Sequence, residues 1–184
     1  MIKPIYLYGS EVLRQKAEPI DLGDKEGIAS LVQDLKDTLT HADGCGLAAP
    51  QIGVSKRVVI VDGSDLTDTY DYLKDFRRTM INPVVTYESE KQCEYSEGCL
   101  SVPGIYADVR RPASLTVEYY DESLNKVTET FDKFAARMVQ HELSHLDGDL
   151  FTDHIPPIRK KMYGKKLQNI AHGKVQTRYN TKIK

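Results

Sequence analysis

The sequence predicts an α+β fold, with mostly antiparallel β-strands packed around a central motif-bearing helix and with an N-terminal and a C-terminal helix. Three observations carry this. Ile28, Leu31, Val32, Leu35 and Leu39 recur at helical spacing, one apolar stripe of a helix. Residues 114–121 (SLTVEYYD) alternate apolar and polar side chains, as a half-buried strand does. Residues 141–145 (HELSH) lie in a helical stretch whose neighbours Val139, Leu143 and Leu146 are apolar.

Taken in order, the first helix is expected over residues 25–41, with Asp24 as its N-cap. Residues 44–53 (GCGLAAPQIG) are too rich in Gly and Pro for a regular helix and read as a loop. Residues 57–62 (RVVIVD) read as a buried strand, and 79–87 as another broken by Pro83. The 114–121 strand, a DESLN turn and a second β-like run at 126–131 predict a hairpin. Asp132 is placed to cap a helix reaching about residue 147, closed by Gly148. A last helix begins near Pro156 or Pro157, because proline is tolerated in a first turn. No repeat or linker divides the chain. Residues 1–170 read as one domain and 171–184 as a basic tail.

Bulk composition narrows the function. No run of about 18 uncharged apolar residues is present, so a transmembrane helix is excluded. No secretory signal is visible at the N-terminus. Cys45, Cys93 and Cys99 are too few and too odd for a disulfide framework, which points to a reducing, cytoplasmic setting. The net charge of −2 is unevenly spread. Residues 154–184 hold nine Lys and Arg and no Asp or Glu. Removing those nine from the 25 basic residues leaves 16 against 27 acidic ones, a net of −11. An acidic body with a basic end raises the question of an anionic partner, against the plainer alternative of a solvated tail.

The chemistry concentrates in HELSH. Histidines at i and i+4 sit about 5–6 Å apart on one helix face, so His141 and His145 can reach one metal ion. Glu142 adjoins the first of them. A catalytic metal needs a third protein ligand and an open position. No Glu follows His145, and His154 and His172 are the downstream candidates. Upstream, EGCLS holds Cys99 beside Gly98, and a thiolate is a strong ligand.

GCGLAAPQIG, EGCLS and QHELSHLDG, in this order and at these separations, resemble the three signature motifs of the peptide deformylases. The resemblance spans roughly residues 1–170 and implies a metallohydrolase that removes the formyl group from formyl-methionyl nascent polypeptides. It puts the metal ligands on Cys99, His141 and His145, and the acid/base carboxylate on Glu142. Gln51 and the Leu100 backbone N–H then stabilise the oxyanion, with Gly46 beside the substrate. The implied metal is Fe2+, although a His2Cys site equally suits zinc, and Ni2+ or Co2+ can replace it. Phe134 and Met138, seven and three residues before His141, are candidates for the methionine pocket and equally for plain core. A monomer is expected, with ribosome contact through the basic segment from about residue 156. Three departures stand out. Ser144 replaces the usual Asp, Tyr106 stands where a basic residue is common, and Cys45 occupies an aliphatic position, where it reads as a small apolar residue.

Two rival readings of the sequence remain. A metallopeptidase cutting internal bonds leaves GCGLAAPQIG and EGCLS unexplained. A metal-binding domain without activity does not need Glu142 or Gln51.

Overall fold

The computed structural model describes residues Met1–Lys184. In chain order the elements are β1 (Ile5–Tyr6), α1 (Lys25–Ala42), β2 (Gly46–Ala48), β3 (Val58–Asp62), β4 (Arg77–Glu88), β5 (Gln92–Cys99), β6 (Val102–Pro112) and β7 (Ser114–Tyr120). They continue with β8 (Lys126–Asp132), α2 (Lys133–Leu146), α3 (Pro157–Met162), α4 (Gly164–Ala171) and β9 (Thr181–Lys182). An antiparallel sheet runs in the order β2-β3-β4-β7-β8, β5 and β6 form a separate hairpin, and β1 pairs with β9 in parallel. This is the α+β, mostly antiparallel arrangement that the sequence patterns predict.

The pleat explains the layering. In β3, Val59 and Val61 face the cluster built on α2, while Val58 and Ile60 face the α1 stripe. Both faces are buried, so the strand reads as a continuous apolar run. β7 is covered on one face only. Leu115, Val117 and Tyr119 pack with Phe131, Val139, Leu143 and Leu146 against α2, and the residues between them are partly exposed. A third cluster joins β6 residues Val102, Ile105, Ala107 and Val109 to Phe151, Ile155, Leu167 and Ile170. Helix α2 thus lies between the large sheet and the β5–β6 hairpin.

Local chemistry fixes the ends. The Asp24 side chain accepts from the Gly27 N–H at 2.9 Å and starts α1. Asp121 accepts from the N–H groups of Ser123 and Asn125, which closes the β7–β8 turn. Asp132 sits at the N-cap of α2 but makes no side-chain capping bond. Gly148 ends that segment at φ +75°, and a Cβ there would run into the Arg14 carbonyl.

Four elements differ from the sequence expectations. Residues 44–53 are not a plain loop. Gly46–Ala48 pair with β3, and Ala49–Ile52 form a 3-10 turn with Pro50 in its first turn. Pro83 does not break β4; the strand continues through a register shift between Ile81 and Val84, with Asn82 at φ 49°. The C-terminal helix is two short ones, α3 and α4. The β5–β6 hairpin has no counterpart in the sequence reading, although Ile105, Ala107, Val109 and Arg111 alternate inward along β6.

The buried face of β7 gives a direct test. Leu115→Ala empties a fully buried position and is expected to cost roughly 2–5 kcal/mol in urea unfolding. Val84→Ala on the exposed part of β4 should stay within about 0.5 kcal/mol.

Candidate metal centre

Three elements converge on one cavity of about 640 Å³. Helix α2 brings His141 and Glu142 to the cavity wall, with the fully buried His145 one turn after His141. The end of β5 brings Glu97 and Cys99, and the 3-10 turn after β2 brings Gln51. The Cys99 thiol and the ring nitrogens of His141 and His145 all lie within 4.8 Å of one another. Cys99 Sγ is 3.4 Å from His145 Nε2, and the two imidazole centroids are 5.1 Å apart. His154 is elsewhere, paired with Asp149.

The donor set fits a divalent cation. His141 donates through Nδ1 to Glu97 Oε1 at 2.8 Å, which leaves its Nε2 free to ligate. Burial, then the charges of His141 and Arg111, push His145 well below its ordinary pKa, which favours the neutral imidazole, the form able to hold a metal. Glu142 Oε2 is buried without a partner, an acceptor that a water or substrate proton would satisfy. Thiolate plus two imidazoles is a borderline-soft set suited to iron, zinc, nickel or cobalt.

Glu142 does not belong to the ligand cluster. Its Oε1 lies 4.0 Å from His141 Nε2. Burial, partly offset by His141, raises its carboxyl to about 7, where it can both take and give a proton near neutrality. Gly46 is required beside it, because a Cβ there would overlap the Glu142 carboxylate. The Gln51 carbonyl accepts from the Ala48 N–H at 2.9 Å. Its amide nitrogen then donates to Ser101 Oγ at 3.0 Å and faces Cys99 Sγ at 3.5 Å. The Leu100 N–H lies in the same cavity wall and donates to no group of the protein. Phe134 and Met138 also line the cavity. Phe134 stacks on Tyr70 at 4.7 Å, and Met138 is buried in the core cluster, so each serves both environments. Cys45 is exposed on the cavity wall rather than packed as a small apolar filler.

The sequence reading missed the support beneath these groups. Glu97 receives two bonds from Arg111, at 2.8 and 3.0 Å, and one from Arg137 at 2.6 Å, in addition to His141. Burial alone would raise its carboxyl. The bonds from His141 and Arg111 outweigh that and hold it well below the usual carboxylate range. Ser144 donates to the Gln140 carbonyl and accepts from Arg111 at 3.0 Å, so this departure touches the support and none of the three clustered donors. The available signal was Arg137, which sits one turn before His141 on the same helix face.

Residues 2–161 match the polypeptide deformylase family. A peptide deformylase of Flavobacterium psychrophilum is 41% identical over 190 residues, covering 100% of this chain and 97% of that protein. The chain belongs to the polypeptide deformylase family. A second relative, the peptide deformylase of Christiangramia forsetii, is 39% identical and covers 100% of this chain and 96% of its own length. Among solved structures, the peptide deformylase from Thermus thermophilus superposes with a TM-score of 0.82 at 37% identity, covering 94% of this chain and 99% of that one. As a deformylase this chain is a metal-dependent hydrolase acting on the N-terminal formyl group of polypeptides.

The Glu97 network makes a stability prediction. Glu97→Ala leaves two buried guanidinium groups without their carboxylate and should cost roughly 3–5 kcal/mol in denaturant unfolding of metal-stripped protein. Because the folded carboxyl is depressed, its stabilisation is present above the ordinary Glu range and is lost as pH falls from there through the depressed value. The variant should therefore lose part of the wild-type acid sensitivity.

Proposed function

We propose that the chain hydrolyses the formamide of formyl-methionyl polypeptides with Cys99, His141 and His145 holding one ferrous ion and Glu142 as the acid/base group. The observation that carries this reading is a buried carboxylate oxygen without a partner, Glu142 Oε2, beside a thiol–imidazole–imidazole cluster that opens on one cavity through Cys99 and His141. A bound divalent cation supplies Lewis acidity and makes water a stronger acid. Glu142 takes a proton from the attacking water and returns it to the leaving nitrogen as the C–N bond breaks, giving formate and a free amino terminus. The Gln51 amide and the Leu100 N–H donate to the formyl oxygen as it gains charge. Gly46 leaves room along Glu142, and Phe134 with Met138 accommodates the methionine side chain. The proposed enzyme is a cytoplasmic monomer, and its three free thiols suit a reducing compartment.

Formate release from a formyl-methionyl peptide, beside cleavage of an unformylated one, tests the reading. Wild-type chain should release formate only, and best with iron under anaerobic reconstitution, because ferrous iron and the adjacent thiolate oxidise in air. Glu142→Ala should retain metal and lose turnover by at least ~10²-fold. Backbone cleavage, a zinc form as active as the iron form, or near-normal turnover in Glu142→Ala would each contradict it.

Contact with the ribosome is proposed through α3 and α4, where Arg159, Lys161, Lys165 and Lys166 are exposed. Phosphate neutralisation would release counterions and make binding fall steeply with salt. Co-sedimentation with ribosomes should be lost in a Lys161→Glu, Lys165→Glu, Lys166→Glu variant. Retained or salt-insensitive binding would refute the contact.

A further inference from the structure

The last residues of the chain reach the catalytic cavity from outside the matched family segment, which ends at residue 161. After α4 the chain turns back and β9 lies parallel to β1. Ile5 N–H donates to Asn180 O at 2.8 Å, Leu7 N–H to Lys182 O at 2.9 Å and Glu11 N–H to Lys184 O at 3.0 Å. Val175 and Ile183 pack against the third core cluster. This docking carries residues 176–179 onto the wall of the cavity that holds Gly46, Gln51, Cys99 and Glu142. Within that segment the Thr177 hydroxyl donates to the Tyr179 carbonyl at 2.6 Å.

The contact that matters is made by Tyr179. Its half-buried hydroxyl donates to the Leu100 carbonyl at 2.7 Å. Leu100 lies between β5 and β6, outside the hairpin ladder. The next carbonyl, Ser101 O, accepts from the Tyr8 N–H at 2.8 Å, and Ser101 Oγ accepts from Gln51. The turn after Cys99 is therefore held at successive carbonyls by the two ends of the chain. The Leu100 N–H belongs to the peptide plane it shares with Cys99, which pairs with Val102, and the Leu100 carbonyl belongs to the next plane; holding both planes fixes the torsions of Leu100 between them and so its N–H, which donates to nothing in the protein.

We infer that Tyr179, delivered by the C-terminal segment, is a positioning residue that aims the Leu100 N–H into the cavity, so that the end of the chain is part of the catalytic unit. The inference rests on the role proposed above for that N–H. A donor that must meet charge as it develops contributes most when its direction is fixed beforehand. Removing one anchoring hydrogen bond then weakens the transition state more than the ground state.

Tyr179→Phe removes the hydroxyl and keeps the ring. It should lower kcat roughly 3- to 10-fold, the scale of one net hydrogen bond, with KM changed less than about two-fold. Amide hydrogen exchange at Tyr8, whose N–H donates to Ser101 O in the same turn, should accelerate while bound metal is unchanged. Tyr87→Phe, on the exposed part of β4, removes a hydroxyl away from the turn and should keep wild-type kcat. Exchange does not depend on turnover, so it reads the clamp even if wild-type chain released no formate and the reading above failed. Unchanged exchange in Tyr179→Phe, wild-type kcat in that variant, a loss confined to KM, or an equal loss in Tyr87→Phe would overturn the inference.

Discussion

A carboxylate taken out of water among positive groups organises the centre of this protein. Glu97 accepts from Arg111, Arg137 and His141 at once, and its side chain is only 3% exposed. Such a buried cluster is costly to desolvate, and apolar residues would fill the space at less expense. What it provides is direction. The Arg137 guanidinium also donates to the carbonyls of Val109 and Cys93, and Gln140 donates to Pro112 O. Helix α2 is thereby bonded along the β5–β6 hairpin, from its Gln92–Pro112 end to Glu97 beside the cavity. His141 receives its orientation from the same carboxylate, two residues before Cys99 in the hairpin. One buried anion thus bears on the distance between a candidate ligand on a helix and one on a strand.

The rest of the fold follows from that requirement. Helix α2 needs an apolar face towards the large sheet and a polar face towards the hairpin. Ala135, Met138, Val139 and Leu146 supply the first, and Arg137, Gln140, His141 and Ser144 the second. The sheet offers β3 and β7 to the apolar face, and α1 covers the back of β3. The polar face is bonded to the hairpin instead of to water, which is why a helix carrying this many charged and polar side chains is almost wholly buried.

Much of this was legible because the patterns are local. The α1 stripe, the β7–β8 hairpin and HELSH each lie within a short window whose period matches its element. The β5–β6 hairpin was hidden because its inward positions include Glu97 and Arg111, which read as solvent-facing charges until they are paired across the strands. Glu97, Arg111, Arg137 and His141 are up to 44 residues apart, so no window shows that they meet. Gly46 beside Glu142 and Tyr179 on Leu100 are likewise products of tertiary placement. The cysteine, by contrast, could be singled out because Gly98 and its place in EGCLS marked it.

The central claim is that Cys99, His141 and His145 make one metal site whose geometry this buried network fixes. Metal content after anaerobic reconstitution, measured per chain in wild type, Cys99→Ala and Cys93→Ala, tests it most directly. Wild type and Cys93→Ala should each bind one divalent ion, and Cys99→Ala should lose most of it. Full metal content in Cys99→Ala would contradict the account.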